Sequence, residues 1–244
     1  MTKVIAPIFT TKDKTIGDLE FQINYLNRNF QGLEYRERLE KLYETFDASE
    51  VLVTSSFGTK SVFLLWLISQ IQPKQKVHFI NTTYQFPETL QYKQELTDLL
   101  GLEIIEVLPD AKENLISKSE ELWKTDTERC CAINKISPLE PIKVGHKVWI
   151  SGVMAYQTEF RKNLRVWEKQ GDLIKFHPLI DIEEGEFLYQ TGLNKLPQHP
   201  LMDLGYGSVG CTHCTVKGEG RSGRWADTEK TECGLHPGFF EGKV

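Results

Sequence analysis

The chain has 244 residues, of which 40% are hydrophobic and 26% charged, and its formal net charge is -5. This length fits one large domain or two small ones, and the acidic balance excludes a general nucleic-acid binder, which would be basic overall. The apolar run Val62–Ile68 is too short to span a bilayer, and the first ten residues lack the apolar region of a secretory signal. We therefore expect a cytoplasmic protein with reduced cysteines and without membrane or nucleic-acid partners.

Helices and strands alternate along most of the chain. Residues 14–48 carry apolar side chains at helical spacing and predict a helical segment. Further helices are predicted at residues 62–71 and 87–100. Five segments rich in β-branched and aromatic residues predict strands, at 50–54, 76–81, 102–108, 147–151 and 174–176. This alternation predicts an α/β fold with a mostly parallel sheet flanked by helices.

Three loops follow predicted strands, at residues 55–61, 81–87 and 152–161. Because ligands bind beyond the carboxyl ends of parallel strands, we expect these loops to gather at one edge of the sheet and form a site there. The chain is expected to divide into three parts: a helical segment at 1–48, an α/β nucleotide-binding domain at 49–204 and a loop-rich, cysteine-containing tail at 205–244.

The loop after the first strand has the sequence SSFGTKS. Its hydroxyls and lysine precede a helix, whose N-terminus presents unpaired N–H groups to a phosphate or sulfate. The spacing is not that of a Walker A loop, and a plain turn capped by Ser or Thr remains an alternative. The candidates for the nucleotide site are Ser55, Ser56, Gly58, Lys60 and Ser61.

Five cysteines divide into two pairs and one single residue. Cys130 and Cys131 are adjacent, and Cys211 and Cys214 form a C-x-x-C motif. Four thiolates suit an iron–sulfur cluster or a structural zinc ion. Adjacent side chains diverge, so the vicinal pair reaches two irons of one cubane more easily than one tetrahedral zinc. The pattern favours a [4Fe–4S] cluster, with a non-enzymatic zinc module as the alternative.

Positive side chains lie near these cysteines in the sequence. Lys135 follows Cys131 by four residues, so a helix would put both on one face, beside a cluster and an anionic substrate. Arg221 and Arg224 lie among glycines in an otherwise acidic protein, and guanidinium groups bind phosphate or sulfate in bidentate fashion. The alternatives are a solvated helical lysine and an ordinary surface loop.

The fifth cysteine, Cys233, stands between Glu232 and Gly234, three residues before His236. A buried structural cysteine is expected in an apolar strand, whereas this polar, glycine-flanked setting is typical of a reactive thiol. We therefore interpret Cys233 as a candidate nucleophile.

From about Ser49 to Pro237 the chain resembles the assimilatory sulfonucleotide reductases, and within them the iron–sulfur adenylylsulfate reductases. The SSFGTKS loop resembles the modified PP-loop of that family, which has an adenine nucleotide alpha hydrolase-like fold. The resemblance is carried most sharply by CC at 130–131 with Lys135, by GYGSVGCTHCT at 205–215, by GRW at 223–225 and by KTECGLH at 230–236.

The resemblance implies an oxidoreductase of sulfate assimilation and cysteine biosynthesis that reduces adenosine 5′-phosphosulfate to sulfite and AMP. It implies that the paired cysteines hold one [4Fe–4S] cluster with an electrostatic and structural role. Cys233 would form an S-sulfocysteine, which a thioredoxin or glutaredoxin-like dithiol protein then reduces. The substrate-binding residues it implies beyond the loop are Lys135, Arg161, Arg221, Arg224 and His236.

The chain also departs from this family. The usual GLRRDQS is GVMAYQT at 152–158, so that Met154 and Ala155 stand where arginines are usual, and Asn81 replaces the usual aspartate of DTG. Two other enzymes remain as alternatives: a phosphoadenosine phosphosulfate reductase and an ATP-cleaving PP-loop enzyme. The sequence leaves the oligomeric state open, with a homo-oligomer among the options.

Overall fold

The computed structural model describes residues 16–171, 173–226, 230, 232, 234 and 235. Its centre is a six-stranded sheet with the strand order β3-β2-β1-β4-β6-β5. The strands are β1 (Val51–Ser55), β2 (Lys76–Ile80), β3 (Glu103–Val107), β4 (Val148–Ile150), β5 (Trp167–Gln170) and β6 (Leu173–Phe176). Every neighbouring pair is parallel except β5 and β6. The predicted α/β fold with a mostly parallel sheet is therefore confirmed.

Helices connect the strands. In chain order they are α1 (Ile16–Phe30), α2 (Tyr35–Thr45), α3 (Val62–Ile71), α4 (Pro87–Leu100), α5 (Ala111–Ser119), α6 (Leu122–Thr125), α7 (Thr127–Cys131), α8 (Ser137–Lys143), α9 (Glu159–Lys162) and α10 (Glu184–Leu193). Helices α3 and α4 have the predicted bounds. Within the described residues, every helix is too short or too polar to cross a bilayer.

The core forms where the central strands meet α3. All three residues of β4 and the first three of β1 are buried, as expected for strands covered on both faces. Helix α3 buries six of its side chains and is apolar almost all round. At the β5 edge of the sheet, Phe30 of α1 packs edge-on against Trp167, with ring centroids 5.2 Å apart.

The N-terminal segment differs from its prediction. A turn at residues 31–34 divides the expected helical stretch into α1 and α2. Glu34 has extended backbone angles and forms a reciprocal capping box with Glu37. Two N–H groups at the start of α2 are satisfied in this way, so local capping chemistry overrides the apolar periodicity that runs through the break.

Arg38 of α2 ties this helical pair to the loop after β6. Its guanidinium donates two hydrogen bonds of 2.6 Å to the Asp181 carboxylate and others to the carbonyls of Phe30 and Pro178. Arg38 is 2% exposed, whereas Asp181 is 59% exposed. Arg38 therefore stabilises the fold mainly by donating hydrogen bonds to buried carbonyls, and only partly by charge attraction to Asp181.

Replacing Arg38 with alanine should lower the free energy of unfolding by about 2–4 kcal/mol, because two buried carbonyls lose their donors and a cavity is left. Urea denaturation followed by circular dichroism measures the change. The matched control is Arg36→Ala on the same helix, where an exposed pair with Glu40 is removed and a change of about 0.5 kcal/mol or less is expected. Equal losses for both variants would contradict this account.

Strand β5 was not predicted. Its residues, Trp-Glu-Lys-Gln, have no run of β-branched side chains, and only Trp167 is buried. It pairs antiparallel with β6 at the sheet edge, where charged side chains are common because they discourage further strand pairing. Its place in the sheet is fixed by packing of Trp167 on Phe176 and Phe30, which local sequence does not reveal.

The strand order reverses beside β1, since β2 and β4 lie on its two sides. In such a sheet the connections from the two central strands leave in opposite directions and open a crevice at their carboxyl ends. Residues from the tail lie across this crevice: Thr59 Oγ1 donates to the Gly207 carbonyl at 3.1 Å. The expected three-part division of the chain stays a prediction, but its tail packs on the α/β part.

Candidate active site

A cavity of about 230 Å³ opens at the crevice. The three loops predicted to gather there contribute Ser55 and Ser56, Thr82 and Gln85, and Gly152. The tail closes the opposite side with Ser208, Val209, Gly210, Cys211 and Trp225. Nine of the ten predicted substrate-binding residues line this cavity: Ser55, Ser56, Gly58, Lys60, Ser61, Lys135, Arg161, Arg221 and Arg224.

The loop after β1 is held in shape by its own side chains. Phe57 is buried with a positive φ of 50°, and its N–H donates to Ser55 Oγ at 3.0 Å. Ser61 Oγ donates to the Gly58 carbonyl at 2.8 Å and makes no capping bond to α3. The first-turn N–H groups of α3 are thus left uncapped by Ser61, which favours an anion site over the plain capped turn.

Lys60 has a divided environment. It lines the cavity, but its Nζ lies 3.5 Å from Glu184 Oε1 and 4.9 Å from the centre of the Phe187 ring. The lysine therefore also links the loop to α10. An anion in the cavity would compete with Glu184 for the Lys60 ammonium group. Because Glu184 is exposed, its ion pair with Lys60 is weak.

Glycines allow the tail to approach the loop and its own basic residues. A Cβ on Gly58 would lie 3.0 Å from the Val209 carbonyl, and one on Gly210 would clash with the Arg224 guanidinium. Arg224 lies over the Trp225 ring at 4.4 Å and donates weakly, at 3.4 Å, to the carbonyls of Cys214 and Val209. Arg224 also lines the cavity.

Arg161 and Arg221 converge on one carboxylate. Glu232 accepts hydrogen bonds from Arg161 Nε at 2.7 Å and Nη2 at 2.9 Å, and Arg221 Nη2 lies 3.5 Å away. Thr158 Oγ1 also donates to Glu232 at 3.2 Å. The Glu232 side chain is fully buried and that of Arg161 is 8% exposed. Sequence analysis did not select Glu232, although a charged residue beside a candidate nucleophile is a signal for it.

Cys233 and His236 lie outside the described residues. Their neighbours Glu232 and Leu235 both line the cavity.

The four paired cysteines meet in a second pocket beside the first. Cys130 and Cys131 come from the end of α7. Cys211 immediately precedes a short 3₁₀ turn at Thr212–Cys214, and Cys214 is its last residue. The first three are buried and Cys214 is half-buried. Aromatic side chains from three segments cover the pocket: Trp123 stacks on the His213 ring at 4.1 Å, and Tyr84 meets both rings at 5.5 Å.

Hydroxyl, amide and ammonium groups surround the sulfur atoms. Ser117 Oγ and Asn134 Nδ2 donate to Cys130 Sγ at 3.7 and 3.6 Å. Thr82 Oγ1 lies 3.2 Å from Cys211 Sγ, and Lys230 Nζ donates to Cys131 Sγ at 3.3 Å. Donors of this kind orient metal ligands and stabilise negative charge on sulfur.

The pKa values of two of these thiols are raised. Burial, followed by the charge of Cys211, raises the pKa of Cys214 to about 11. Burial also raises the pKa of Cys130, and the charges of Cys131 and Cys211 act in the same direction. Uncompensated thiolates are thus unfavourable here, so a bound metal group would both require their deprotonation and supply the compensating charge.

Four thiols form the donor set of the second pocket. Within the described residues, no three Cys, His or carboxylate side chains are grouped so as to hold one metal ion. A tetrahedral zinc needs four ligands converging on one point, whereas each iron of a cubane takes its own thiolate. The number and type of the donors match the four thiolates that a cubane needs.

Lys135 joins the two pockets. The segment expected to be helical contains a π-helical turn at Ala132–Ile136 between α7 and α8, a feature frequent at functional sites. Lys135 lies in this turn, is 9% exposed and lines both the cavity and the cysteine pocket. It is therefore not the solvated helical lysine considered as the alternative.

Comparison with known proteins decides the family. Residues 50–217 match the phosphoadenosine phosphosulfate reductase domain. The chain belongs to this reductase family. A protein named adenosine 5′-phosphosulfate reductase from Bacillus cereus (strain B4264) is 39% identical over 196 residues, covering 77% of this chain and 84% of that protein. One of the same name from Lysinibacillus sphaericus (strain C3-41) is 36% identical over 222 residues, covering 86% and 95%.

Solved structures of other proteins superpose on this chain. The phosphoadenylyl-sulfate reductase of Candida auris superposes with a TM-score of 0.69 at 24% identity, covering 84% of this chain and all of that one. Yeast FAD synthetase superposes with a TM-score of 0.53 at 12% identity, covering 87% and 72%. At these identities the likeness concerns the fold alone. The α/β fold predicted from the resemblance is thereby confirmed.

Proposed function

We propose that this chain reduces adenosine 5′-phosphosulfate to sulfite and AMP, with a thioredoxin-like dithiol protein as electron donor. One observation carries the proposal: Lys135 lines both the cationic cavity and the four-cysteine pocket. Glu232 and Leu235, which lie on either side of Cys233 in the sequence, line the same cavity. The names of the relatives from Bacillus and Lysinibacillus support the same substrate.

The cavity residues supply the binding groups for such a nucleotide. The hydroxyls and N–H groups of the loop after β1 would hold the nucleotide, with Ser55, Ser56, Gly58, Lys60 and Ser61 in contact. Lys135, Arg161, Arg221 and Arg224 would hold the sulfate and phosphate oxygens, since guanidinium groups match these anions geometrically. His236 completes the proposed set from the tail.

The chemistry follows thiol exchange at sulfur. The Cys233 thiolate attacks the sulfur of the bound sulfonucleotide, an S–S bond forms, the bond from sulfur to the phosphate oxygen breaks, and AMP leaves with the electron pair. A thiolate of the dithiol protein then attacks Cys233 Sγ and releases sulfite as a mixed disulfide forms. The second thiol of that protein resolves the mixed disulfide and frees Cys233. The dithiol thereby provides both electrons, which fits a protein of the reducing cytoplasm.

A [4Fe–4S] cluster is part of the proposal, held by Cys130, Cys131, Cys211 and Cys214. When bound, the group supplies structural cross-linking and a fixed charge beside the cavity. Lys135, which lines both pockets, would balance that charge and orient the sulfate oxygens of the substrate.

The 3′-phosphorylated substrate is the second candidate, because the matched domain is named for phosphoadenosine phosphosulfate. Its additional phosphate needs an additional cationic contact. The four cysteines favour the unphosphorylated nucleotide, since the resemblance assigns the cluster mainly to reductases of that substrate. Comparing turnover on the two nucleotides at equal concentration discriminates between them.

The decisive experiment uses anaerobically purified protein and a radiolabelled sulfonucleotide without reductant. We expect label from the sulfur to become attached at Cys233, and sulfite to be released when reduced thioredoxin is added. Iron and sulfide analysis should give about four irons per chain. Label that never becomes covalent, or that attaches to another cysteine, would overturn the proposal.

Replacing Gly210 with alanine should weaken nucleotide binding by about tenfold while leaving the fold intact. The new methyl group displaces the Arg224 guanidinium, the flexible end of a side chain, and one charge-assisted contact is worth about 1.5–3 kcal/mol. Isothermal titration with AMP and thermal unfolding measure the two effects. The control is Gly185→Ala, where an added Cβ meets no atom within 4 Å; similar affinities in both variants would remove Arg224 from the site.

A further inference from the structure

Glu232 is a fully buried carboxylate one residue before Cys233. Burying a charge is costly unless it is paired and hydrogen-bonded, and here Arg161, Arg221 and Thr158 provide those partners. Arg161 lies in α9 and Thr158 caps the N-terminus of that helix, whereas Arg221 belongs to the tail. The carboxylate therefore links the chain just before Cys233 to α9 of the α/β part.

Lys175 holds the chain on the other side of Cys233. It is 1% exposed, lies in β6 and has its Nζ 4.0 Å from the centre of the Trp149 ring. Its ammonium group donates a hydrogen bond to the carbonyl of Leu235, two residues after Cys233. Lys175 is the charged residue of the otherwise apolar Leu-Ile-Lys-Phe strand, and it also lines the cavity.

We propose that Glu232 and Lys175 are positioning residues that fix Cys233 for attack on the substrate. This rests on the proposed role of Cys233 as nucleophile. Anchors at residues 232 and 235 leave only two residues between them, which is a short span whose ends are both fixed. Loss of either anchor frees one end of that span, and a displacement of about 1 Å at a reacting atom can reduce turnover by about 10²-fold.

The same two arginines line the cavity that would hold the substrate. Arg161 and Arg221 both pair with the Glu232 carboxylate, which lowers the positive charge that they present there. Neutralising Glu232 would make this wall more attractive to anions and not less. A positioning role therefore predicts a fall in kcat without a rise in KM, whereas a substrate-binding role predicts the reverse.

The test compares Glu232→Gln and Lys175→Met with wild type in the complete enzyme carrying its cluster. We expect kcat for sulfite release to fall by about 10²-fold in each, with KM unchanged or lower for Glu232→Gln. Carbamidomethylation of Cys233 by iodoacetamide without nucleotide, followed by peptide mass spectrometry, should become faster in both variants. Iron content and the melting temperature show that the fold is kept.

Controls separate this inference from the proposed function. Glu159→Gln removes a carboxylate that is 87% exposed and pairs with Lys162, and it should match wild type in every measurement. If Glu232→Gln fails to fold, Glu232→Asp retains the charge on a shorter side chain and should show a smaller fall in kcat. Unchanged kcat and alkylation rates in variants of an active enzyme overturn the positioning role. A wild type that releases no sulfite overturns the proposed function, while the alkylation rates still report on the anchors.

Discussion

Replacing Cys233 with serine is expected to lower sulfite release by about 10⁴-fold or more, the scale of loss when an enzyme loses its nucleophile. A serine hydroxyl remains protonated at neutral pH and attacks sulfur poorly, whereas a thiolate is the reactive form of cysteine. Release of sulfite from adenosine 5′-phosphosulfate with reduced thioredoxin measures the effect. Incubation with labelled nucleotide should leave the variant unlabelled.

The iron content of the Cys233→Ser protein serves as its control. Cys233 is not among the four cysteines of the second pocket, so the variant should keep the brown colour, the iron content and the melting temperature of the wild type. A variant that retained full activity would contradict the role of Cys233 and would favour the ATP-cleaving PP-loop enzyme considered from the sequence, which needs no nucleophile in the tail.

Replacing Cys130 with serine should remove the cluster, whereas Cys233→Ser should keep it. Cys130 is buried, receives hydrogen bonds from Ser117 and Asn134, and lies among three other thiols. A neutral hydroxyl cannot replace a thiolate ligand, and the free energy of metal binding is largely free energy of folding at such sites. We expect iron well below about four per chain, loss of visible absorbance and a lower melting temperature.

Anaerobic purification, metal analysis and thermal unfolding measure these changes, and Cys233→Ser is the matched cysteine-to-serine control. Activity should fall with iron content, since Lys135 lines the same pocket and Lys230 Nζ donates to Cys131 Sγ there. Wild-type protein that contained zinc and no iron would contradict the proposed cluster. Such a result would restore the zinc module as the better interpretation of the four cysteines.

Local signals were sufficient for much of the fold. Helix α4 begins at Pro87, where a missing N–H is harmless, and ends before Gly101 in a left-handed conformation. Helix α3 is a continuous apolar segment between polar loops. In both cases the features that start and stop the element lie within a few residues of its ends, so the sequence predicts the bounds directly.

Two features were not predicted. Strand β5 depends on distant contacts, because Trp167 packs against α1 and β6. The break between α1 and α2 depends on competing local signals, because the capping box at Glu34 interrupts an apolar pattern that continues on both sides. Periodicity reports which face of an element is buried, but it does not report where a chain turns when that face is shared by two helices.

Residue type and short spacing were enough to predict the α/β class, the division of the cysteines into four and one, and the candidate anion loop at 55–61. Two features became visible only in the folded chain: Lys135 lies between two pockets, and Glu232 pairs with Arg161, 71 residues away. Whether a charged residue is solvated or buried beside a partner depends on which distant segments the fold brings together, and no local pattern carries that information.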